Sequence, residues 1–379
     1  MGDWSDRMKG DPGAWLLEKA CPPIRYRYLT EVVGRPADDV DVKSAEQEVY
    51  AYKPAQTIVG ARSDDGTWFG SLLGFEAMNL PRKKGPGTVP QYRALIEYGW
   101  GKDHPIIWST SDLLQGLLWE DPGLDLRELN GYLVGDPAVE AWLRKRLSRV
   151  ALTLLVRSGF HEDPGVKRKK AEYYAELEAF YQGDVHAKIY VGETTRTVET
   201  DDGEIEQRCA LFDPQAPLPS QDLMTFLAFD PDARTKHSGL LEAIADYLFA
   251  HAAPEFELTE IGGKTFEKER DLEIRSLDRK DYEDRKLVGR LLQDLELLAR
   301  CGVLTRSPKA VALVEWLVAQ QDEEGVVRAD DWIEKVVNRL DYGYFPLEDN
   351  WRGKHKKFTD LTFRLMLILR LLDDRCVGA

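Results

Sequence analysis

Apolar residues recur along this chain in a pattern that predicts pairs of helices. The clearest pair is "LLARCGVLTRSPKAVALVEWL", 297–317, where one apolar segment ends at a glycine and a second begins after Ser-Pro. Glycine favours the left-handed residue that follows a helix, and proline is tolerated in the first helical turn. This pair is part of a stretch that begins at Leu295, and similar stretches begin at Leu95, Leu154 and Met224. The recurrence predicts a repeat of helical hairpins.

Two kinds of helix alternate along this repeat. The segments "RVALTLLV", 149–156, and "FTDLTFRLMLILRLL", 358–372, are apolar on nearly every side, which predicts burial on more than one face. Partner segments such as "GVKRKKAEYYAELEAF", 165–180, have one charged face and are expected to lie outside. Inner and outer helices in alternation predict a double ring, so we expect residues 1–379 to form a single all-α domain, an α/α-toroid. An open solenoid is the alternative, but it needs capping repeats.

One stretch breaks the helical rhythm. In "HAKIYVGETTRTVETDDGEIEQRCALF", 186–212, strand-forming residues flank Asp202-Gly203, which is a tight-turn signal. We predict an inserted β-hairpin there, the only substantial strand pair of the chain. It covers one edge of the ring or acts as a lid over its mouth. Residues 258–286 are polar and predict a connector with little core content.

Composition and charge exclude several classes of protein. With 43% hydrophobic residues the composition is globular, and a net charge of −15 argues against a nucleic-acid surface. No apolar run is long enough to span a bilayer, and the polar N-terminus predicts no signal peptide, so we expect a cytoplasmic protein. The four cysteines form no Cys-x-x-Cys pair and are expected to be reduced. Because Walker, dinucleotide, HExxH and GxSxG motifs are absent, we expect no metal and no cofactor.

Two short motifs resemble those of a known superfamily. "SDDGTWFGS", 63–71, is similar to the Asp-Gly-x-Trp turn that follows a helix in the α/α-toroid proteins of the squalene-cyclase and prenyltransferase superfamily. "WLVAQQDEEGVVRADDW", 316–332, resembles another of their turns, with Val327 where an aromatic residue is expected. Over most of the chain the order of repeats resembles that of small bacterial members. The resemblance implies a double ring of helices around an axial cavity.

The catalytic residues of that superfamily do not carry over. Its triterpene cyclases donate a proton from an Asp-x-Asp-Asp motif, whereas "ADDVDV", 37–42, has its acids in a different order. Its protein prenyltransferases bind zinc through Asp, Cys and His. Cys301 lies at a similar helix end, but no matching Asp-x-Cys or His-Thr pair is present. The resemblance therefore implies the fold and the cavity, and leaves the reaction open.

The candidate site residues lie near predicted helix starts, because inner-helix N-termini converge in a toroid and favour anions. The expected substrate-binding residues are Trp68, Tyr92, Arg93, Tyr282, Trp351, Arg352 and Lys354. The expected catalytic residues, which would transfer a proton, are Asp222, Asp281 and His355. The structural alternatives are core packing for Trp68, helix capping for Asp222 and pairing with Arg285 for Asp281. The basic run 352–357 is either a solvated loop or an anion site.

Three functions stay open on the sequence alone. The first is a small-molecule enzyme that acts on a largely apolar, isoprenoid-like substrate with an anionic group, whose aromatic walls stabilise cationic intermediates. The second is a glycan-active toroid with two carboxylates flanking a sugar bond. The third is a non-catalytic scaffold that binds a protein partner on its rim. A closed apolar cavity favours the first, paired buried carboxylates the second and a filled axis the third.

Overall fold

In a computed structural model of this chain, the described residues are 4–72, 86–121, 123, 136–200, 203–250, 257–267, 272–275, 278–284, 287–328 and 345–373. Within these ranges the chain is mostly helical and has a small four-stranded sheet. The sequence prediction of a mainly helical protein is therefore confirmed. No helix within them is long and apolar enough to cross a membrane.

Eight α-helices lie in the described residues of the N-terminal half. They are α1 Gly13–Lys19, α2 Pro22–Arg27, α3 Val40–Tyr50, α4 Lys53–Gly60, α5 Thr88–Glu97, α6 Pro105–Leu118, α7 Pro137–Leu155 and α8 Pro164–Phe180. Wider π turns at Tyr28–Val32 and Val156–Phe160 continue α2 and α7. Such turns occur often at functional sites. The first contains Glu31 and the second Arg157, and each of these side chains forms an ion pair inside the protein.

The C-terminal half has the same mixture of long and short helices. They are α9 Val185–Ile189, α10 Gln221–Phe229, α11 Ala233–Lys236, α12 Ser238–Ala250, α13 Arg279–Asp284, α14 Val288–Arg300, α15 Pro308–Ala319 and α16 Lys356–Asp373. Short 3-10 turns lie at Trp4–Arg7, Glu273–Arg275 and Leu304–Arg306. The longest helix of this half, α16, follows the segment that begins at residue 345.

Turn residues act at the helix boundaries as the sequence predicts. Gly99 and Gly302 follow α5 and α14 with φ of 100° and 73°, in the left-handed region that other residues avoid. Pro105, Pro164 and Pro308 are the first residues of α6, α8 and α15. An N–H at that position has no partner within the helix, so proline loses no hydrogen bond there. The predicted helix–glycine–proline–helix order is confirmed at these positions.

The segments 190–200 and 203–212 form an antiparallel hairpin, whereas residues 186–189 of the predicted hairpin belong to helix α9 and Asp202 of its predicted turn lies outside the described residues. β1, Tyr190–Thr200, pairs with β2, Gly203–Phe212, so the strand pair predicted within 186–212 is present. Most of the hairpin is exposed on both faces, whereas Cys209 and Phe212 are buried. These two residues place the base of the hairpin against the core.

The sheet continues beyond this hairpin, which corrects the prediction of a single strand pair. β3, Glu257–Ile261, lies parallel to the end of β2, and β4, Lys264–Glu267, pairs antiparallel with β3. Between them Gly262 and Gly263 both have positive φ, 58° and 72°, as a two-residue hairpin turn requires. The start of the predicted connector, 258–286, is thus β-structure, because its backbone groups satisfy those of β2.

Three neighbouring parts of the bundle are buried on nearly every side, namely α5, α14 and α16. In α16 every residue from Phe358 to Leu369 is buried, which confirms the burial predicted for this segment. By contrast, α8 buries one face and exposes its charged face. Helix α16 packs against α14, α14 against α10, and α10 against α7. The most apolar helices therefore form a continuous core. Polar side chains that lie between these helices are shielded from water.

Replacing Leu365 by alanine tests the central position of α16. Leu365 is 0% exposed, so its truncation leaves a cavity and should lower the free energy of unfolding by roughly 2–5 kcal/mol. Leu17→Ala is the matched control, because Leu17 is 37% exposed on α1 and its loss should change stability much less. Urea denaturation measures both variants. Equal, small losses would contradict the burial of α16.

Candidate functional site

Eight charged side chains meet where the most buried helices pack together. They come from α2 and its π turn, from α5, from the π turn after α7, and from α14 and α16. We call them the ionic cluster: Arg27, Glu31, Glu97, Arg157, Glu296, Arg300, Asp360 and Arg364. Four guanidinium groups face four carboxyl groups, so the cluster is formally neutral.

Glu296 is the centre of the cluster. Its Oε1 accepts hydrogen bonds from Arg27 Nη2 at 3.1 Å and from Arg300 Nε at 3.0 Å. Its Oε2 accepts one from Arg364 Nη1 at 2.8 Å. Three arginines from three different helices therefore share one carboxylate, which fixes the relative positions of α2, α14 and α16.

Two further glutamates complete the cluster on either side of Arg27. Glu31 accepts hydrogen bonds from both Arg27 and Arg300. Glu97, at the end of α5, makes a two-pronged pair with Arg157, in which Arg157 Nη2 lies 2.6 Å from Glu97 Oε2. Arg27 Nη1 lies 3.9 Å from the same Oε2 atom, so one guanidinium connects the two halves of the cluster.

Burial and ion pairing act in opposite directions on these carboxyl groups. Burial alone raises the pKa of a carboxyl group, yet Arg27 and Arg300 lower the pKa of Glu31 to about 2. The pKa of Glu296 is well below its ordinary value because the surrounding arginines outweigh burial. The pKa of Glu97 is lowered in the same way. These glutamates are therefore ionised at neutral pH, and each depends on its arginines to stay so.

A different environment surrounds Glu348, which lies beside the start of α16. Its Oε1 accepts a hydrogen bond from the Cys21 backbone N–H at 3.0 Å and lies 2.8 Å from Thr359 Oγ1. Burial raises the pKa of Glu348 to about 7, and the neighbouring Asp360 adds to the rise, while the bonds from Thr359 and Cys21 oppose it. Glu348 therefore changes its protonation near neutral pH, as a general acid or base requires.

The hydroxyl of Thr359 is shared between two acceptors. Thr359 Oγ1 lies 2.8 Å both from the Lys356 carbonyl oxygen and from Glu348 Oε1, but a hydroxyl has one proton to donate. Its bond to Glu348 favours the ionised carboxylate and so opposes the effect of burial on the pKa of Glu348.

Asp360 joins Glu348 to the ionic cluster. Its Oδ2 accepts hydrogen bonds from the Leu347 backbone N–H at 3.0 Å and from Trp351 Nε1 at 3.1 Å. Its Oδ1 accepts one from Arg364 Nε at 3.3 Å. Two carboxyl groups thus interact electrostatically from different surroundings. Asp360 accepts from three donors, whereas at Glu348 burial raises the pKa more than Lys356 lowers it.

Aromatic rings line the same region. Tyr52 and Tyr98 meet edge to face with centroids 5.3 Å apart, and Tyr98 meets Phe345 at 5.1 Å. The Tyr52 hydroxyl donates to the Leu347 carbonyl oxygen at 3.4 Å. With Trp351, these rings give the surroundings of Glu348 an aromatic character.

Four of the predicted site residues lie on or near α5 and α10. Trp68 and Tyr92 are fully buried; Trp68 Nε1 donates to the Ile58 carbonyl oxygen at 2.6 Å, and the Tyr92 hydroxyl donates to Ser158 Oγ at 2.9 Å. Both have the environment of core residues. Arg93 and Asp222 are brought together, with Arg93 Nη1 3.6 Å from Asp222 Oδ1, and both stay partly exposed.

The predicted residues of the 351–355 segment have three different environments. Trp351 is buried and donates to the carboxylate at the start of α16. Arg352 and Lys354 are exposed. His355 meets the ring of Trp15 edge to face at 6.1 Å, and its Nδ1 is buried without a hydrogen-bond partner among the described residues. The segment thus offers basic groups to solvent and an aromatic group to the interior.

Of the two predicted residues of α13, Asp281 caps its own helix and Tyr282 lies in the core. Asp281 Oδ2 accepts a hydrogen bond from the Asp278 backbone N–H at 2.8 Å. In return, Asp278 Oδ1 accepts one from the Asp281 backbone N–H at 3.0 Å. Tyr282 is fully buried. Arg285, the alternative partner of Asp281, lies outside the described residues. The structure gives Asp281 a capping role.

Sequence reasoning missed Glu348 and the ionic cluster. A signal for part of the cluster was present, since Asp360 and Arg364 are charged residues four positions apart inside an otherwise apolar helix, and buried charges need partners. The partners themselves lie far away in the chain. Glu296 is 68 positions from Arg364, and Arg27, which shares Glu296, is another 269 positions away. Glu348 is one glutamate in an irregular segment, and no local pattern marks it.

Comparison with known proteins adds no assignment. No family model, no curated protein and no solved structure matches this chain. Among the described residues no group of three or more His, Cys, Asp or Glu side chains is placed to hold a metal ion. The squalene-cyclase and prenyltransferase resemblance therefore stays a prediction, and the function is argued from the side chains alone.

Neutralising the centre of the ionic cluster should unfold the protein more easily. Glu296→Gln leaves three buried arginines without their shared carboxylate, and we expect a loss of about 3–5 kcal/mol in the free energy of unfolding. Glu193→Gln is the control, because Glu193 pairs with Arg208 at the exposed hairpin and should change stability little. Chemical denaturation compares the two. A Glu296→Gln protein as stable as the control would contradict the buried pairing.

The raised pKa of Glu348 predicts a pH dependence of stability. The folded protein holds the proton up to about pH 7, whereas the unfolded chain releases it near 4.5, so this group's stabilising contribution is lost as pH rises through that window. Glu348→Gln should therefore gain about 1–3 kcal/mol relative to the wild type between pH 5 and pH 8. Glu242→Gln, at an exposed position, is the control. A pH-independent difference between Glu348→Gln and wild type would rule out the shift.

Proposed function

We propose that the helical pairs close into an α/α-toroid that binds a small, largely apolar molecule with an anionic group, and that Glu348 exchanges a proton with it. The ring is supported by the packing of successive buried helices, α7 on α10, α10 on α14 and α14 on α16. It is also supported by the ionic cluster, to which helices from both ends of the chain contribute. A double ring brings its first and last helices together in this way.

The observation that carries the catalytic part is the contrast between two adjacent carboxyl groups. Asp360 is held by three hydrogen-bond donors, among them a guanidinium. Glu348 has a pKa raised by burial to about 7. Neighbouring carboxyl groups with environments this different are the arrangement that acid–base enzymes use, one staying charged and the other carrying the proton.

The surroundings of Glu348 support a particular kind of ligand. Tyr52, Tyr98 and Phe345 supply an aromatic wall, which suits an apolar body and any positive charge that develops on it. The exposed Arg352 and Lys354 would hold an anionic group at the entrance. Because Glu348 itself is 3% exposed, the proposal requires the segment 345–355 to open when the ligand enters.

In this proposal the predicted acid Asp222 has a supporting role. Its carboxylate oxygen Oδ1 lies 3.6 Å from Arg93 Nη1, so it offsets the charge of that guanidinium. Asp281 caps α13, and His355 stays a candidate for proton relay because its buried Nδ1 has no hydrogen-bond partner among the described residues. Glu348 therefore takes the catalytic position in place of the two aspartates.

A scaffold that binds another protein is the second candidate. It is favoured by the ionic cluster itself, since eight charged side chains occupy the junction of the buried helices and leave that junction filled. A glycan-active enzyme would also use paired carboxyl groups. The class of molecule that binds, and the dependence of turnover on Glu348, distinguish these possibilities.

A melting screen followed by turnover assays tests the proposal. The probes are alkyl and prenyl diphosphates, fatty carboxylates and oligosaccharides, and a binder at a hundred times its dissociation constant should stabilise by about 2.7 kcal/mol. With the best binder as substrate, Glu348→Gln should lower kcat by roughly 10²–10⁴-fold. Asp349→Asn is the matched control, because this neighbouring acid pairs with Lys356.

The outcomes separate the candidates. Binding of diphosphates or carboxylates with loss of turnover in Glu348→Gln alone supports the proposal. Binding and hydrolysis of oligosaccharides would support the glycan enzyme. No binding by any probe, or equal turnover in Glu348→Gln and Asp349→Asn, would overturn the proposal in favour of the scaffold.

A further inference from the structure

The hairpin of β1 and β2 extends beyond the rest of the sheet. β3 pairs with the last residues of β2 alone, Ala210–Phe212. Between these residues and the turn, β1 and β2 have only each other as neighbours among the described strands. A two-stranded hairpin is marginally stable in water, and a third strand stabilises it. The hairpin is therefore an arm that gains stability when another strand pairs with it.

The outer edge of β1 presents backbone groups that can pair. Thr200 and Gly203 are partners across a two-residue connection, and the pair that closes such a hairpin is the hydrogen-bonded kind. Bonded and non-bonded pairs alternate along an antiparallel ladder. The N–H and C=O groups that point away from β2 therefore belong to Glu193, Thr195, Thr197 and Glu199. No described residue outside the hairpin forms a hydrogen bond with these backbone groups.

Proteins usually protect an edge strand. Common devices are a short strand, a proline, lysines or a bulge. From Glu193 to Glu199 the sequence of β1 reads ETTRTVE, without proline or lysine, and the register shift of this strand pair lies before it, between Tyr190 and Gly192. Threonine and valine also favour the extended conformation. By contrast β4, at the opposite edge of the sheet, has four residues. The long edge of β1 is thus open to pairing.

One face of the arm is acidic. Glu199 lies directly opposite Glu204, and Glu206 shares their face because side chains alternate along a strand. All three are exposed, and none forms an ion pair with a described residue. Glu193, further along the same face, pairs with Arg208. Like charges directly opposite each other are destabilising, so a cation placed beside Glu199 and Glu204 stabilises the arm.

The other face of the arm has a different character. Val198 lies opposite Ile205, and Ile205 is exposed. On the same face the Arg196 Nε donates to Gln207 Oε1 at 2.7 Å. A strand added beside β1 would place every second side chain on the acidic face and the others on this face. Basic side chains suit the first face, and apolar side chains suit the second.

We propose that the outer edge of β1 binds an extended segment of another protein in which basic and apolar residues alternate. The segment adds a strand to the sheet, so that its backbone bonds to the outward groups of β1 and its basic side chains lie on the acidic face. In this mode backbone hydrogen bonds supply affinity and the side chains supply specificity. The net charge of −15 favours the approach of a basic segment. The edge is separate from Glu348, and the proposal does not depend on proton transfer there.

Binding of labelled synthetic peptides to the whole chain, measured by fluorescence anisotropy, tests this edge. The probe is a peptide of alternating lysine and valine, and the comparison peptide has glutamate in place of lysine. We expect saturable binding of the lysine peptide and none of the glutamate peptide. Equal binding of the two peptides, or no binding of the lysine peptide, would overturn the proposal.

Thr195→Pro separates strand addition from general attraction between opposite charges. It keeps the net charge of the chain, removes an outward N–H and brings the proline ring against the added strand. The lysine peptide should therefore bind at least about tenfold more weakly. Thr195→Val is the matched control, because it keeps both the N–H and the charge and should bind like the wild type. Unchanged binding in Thr195→Pro would show that the edge is not used.

Neutralising the acidic face tests the choice of a basic partner. Glu199→Gln and Glu204→Gln should each weaken binding of the lysine peptide about two- to fivefold, the effect of losing an exposed ion pair. Glu242→Gln, at an exposed position on α12, is the control for overall charge and should change binding little. This comparison stays valid if Thr195→Pro unfolds the arm. An equal loss in all three variants would contradict a site on the hairpin.

Sedimentation velocity of the protein alone tests a different occupant of the same edge. The proposal predicts that β1 does not pair with a second copy of the chain, because pairing between copies brings two acidic faces together. Self-association that rises with concentration and disappears in Thr195→Pro would overturn the basic segment in favour of a dimer through β1.

Discussion

The requirement that buried charges be paired organises this protein. Taking a carboxylate or guanidinium out of water costs several kcal/mol per ion unless opposite charges and hydrogen bonds replace the lost hydration. The ionic cluster meets that requirement with equal numbers of the two kinds of group, supplied by helices at both ends and in the middle of the chain. An error in the position of one helix would leave a charge unpaired, so the cluster favours one arrangement of the helices over all others.

The same constraint explains why neighbouring carboxyl groups behave differently. Glu296 is buried among three arginines, and its pKa falls. Glu348 is also buried, but its polar partners are a threonine hydroxyl and a backbone N–H, and its pKa rises to about 7. Arg364 donates to both Asp360 and Glu296, whereas burial is the largest influence on the pKa of Glu348. The boundary of the ionic cluster thus creates a group that exchanges protons near neutral pH, which is why we place the chemistry at this boundary.

Local patterns were enough to predict the helical pairs but not their tertiary contacts. The apolar run of α16 and the glycine and proline at the helix boundaries act through short-range geometry, so they can be found in the sequence. The strands β3 and β4 were missed because a polar composition concealed them, although Gly262-Gly263 carried a turn signal. Glu348 and Glu296 depend on partners distant in the chain, and a single sequence does not indicate which distant residues are in contact. Trp68 shows the limit of a local motif. An aromatic residue in a recognisable turn predicts a ligand contact, but its side chain has the core environment that is the alternative.

A double-mutant cycle on Glu97 and Arg157 tests the central claim most directly. The pair is buried, two-pronged and joins α5 to the π turn after α7. Glu97→Gln, Arg157→Met and the double variant, compared by chemical denaturation, isolate the coupling free energy from the effects of each single change. The account predicts a favourable coupling of at least about 1.5 kcal/mol, as measured for close charge pairs shielded from water. A coupling within about 0.5 kcal/mol of zero would contradict it, because the two helices would then be held together without the ionic cluster.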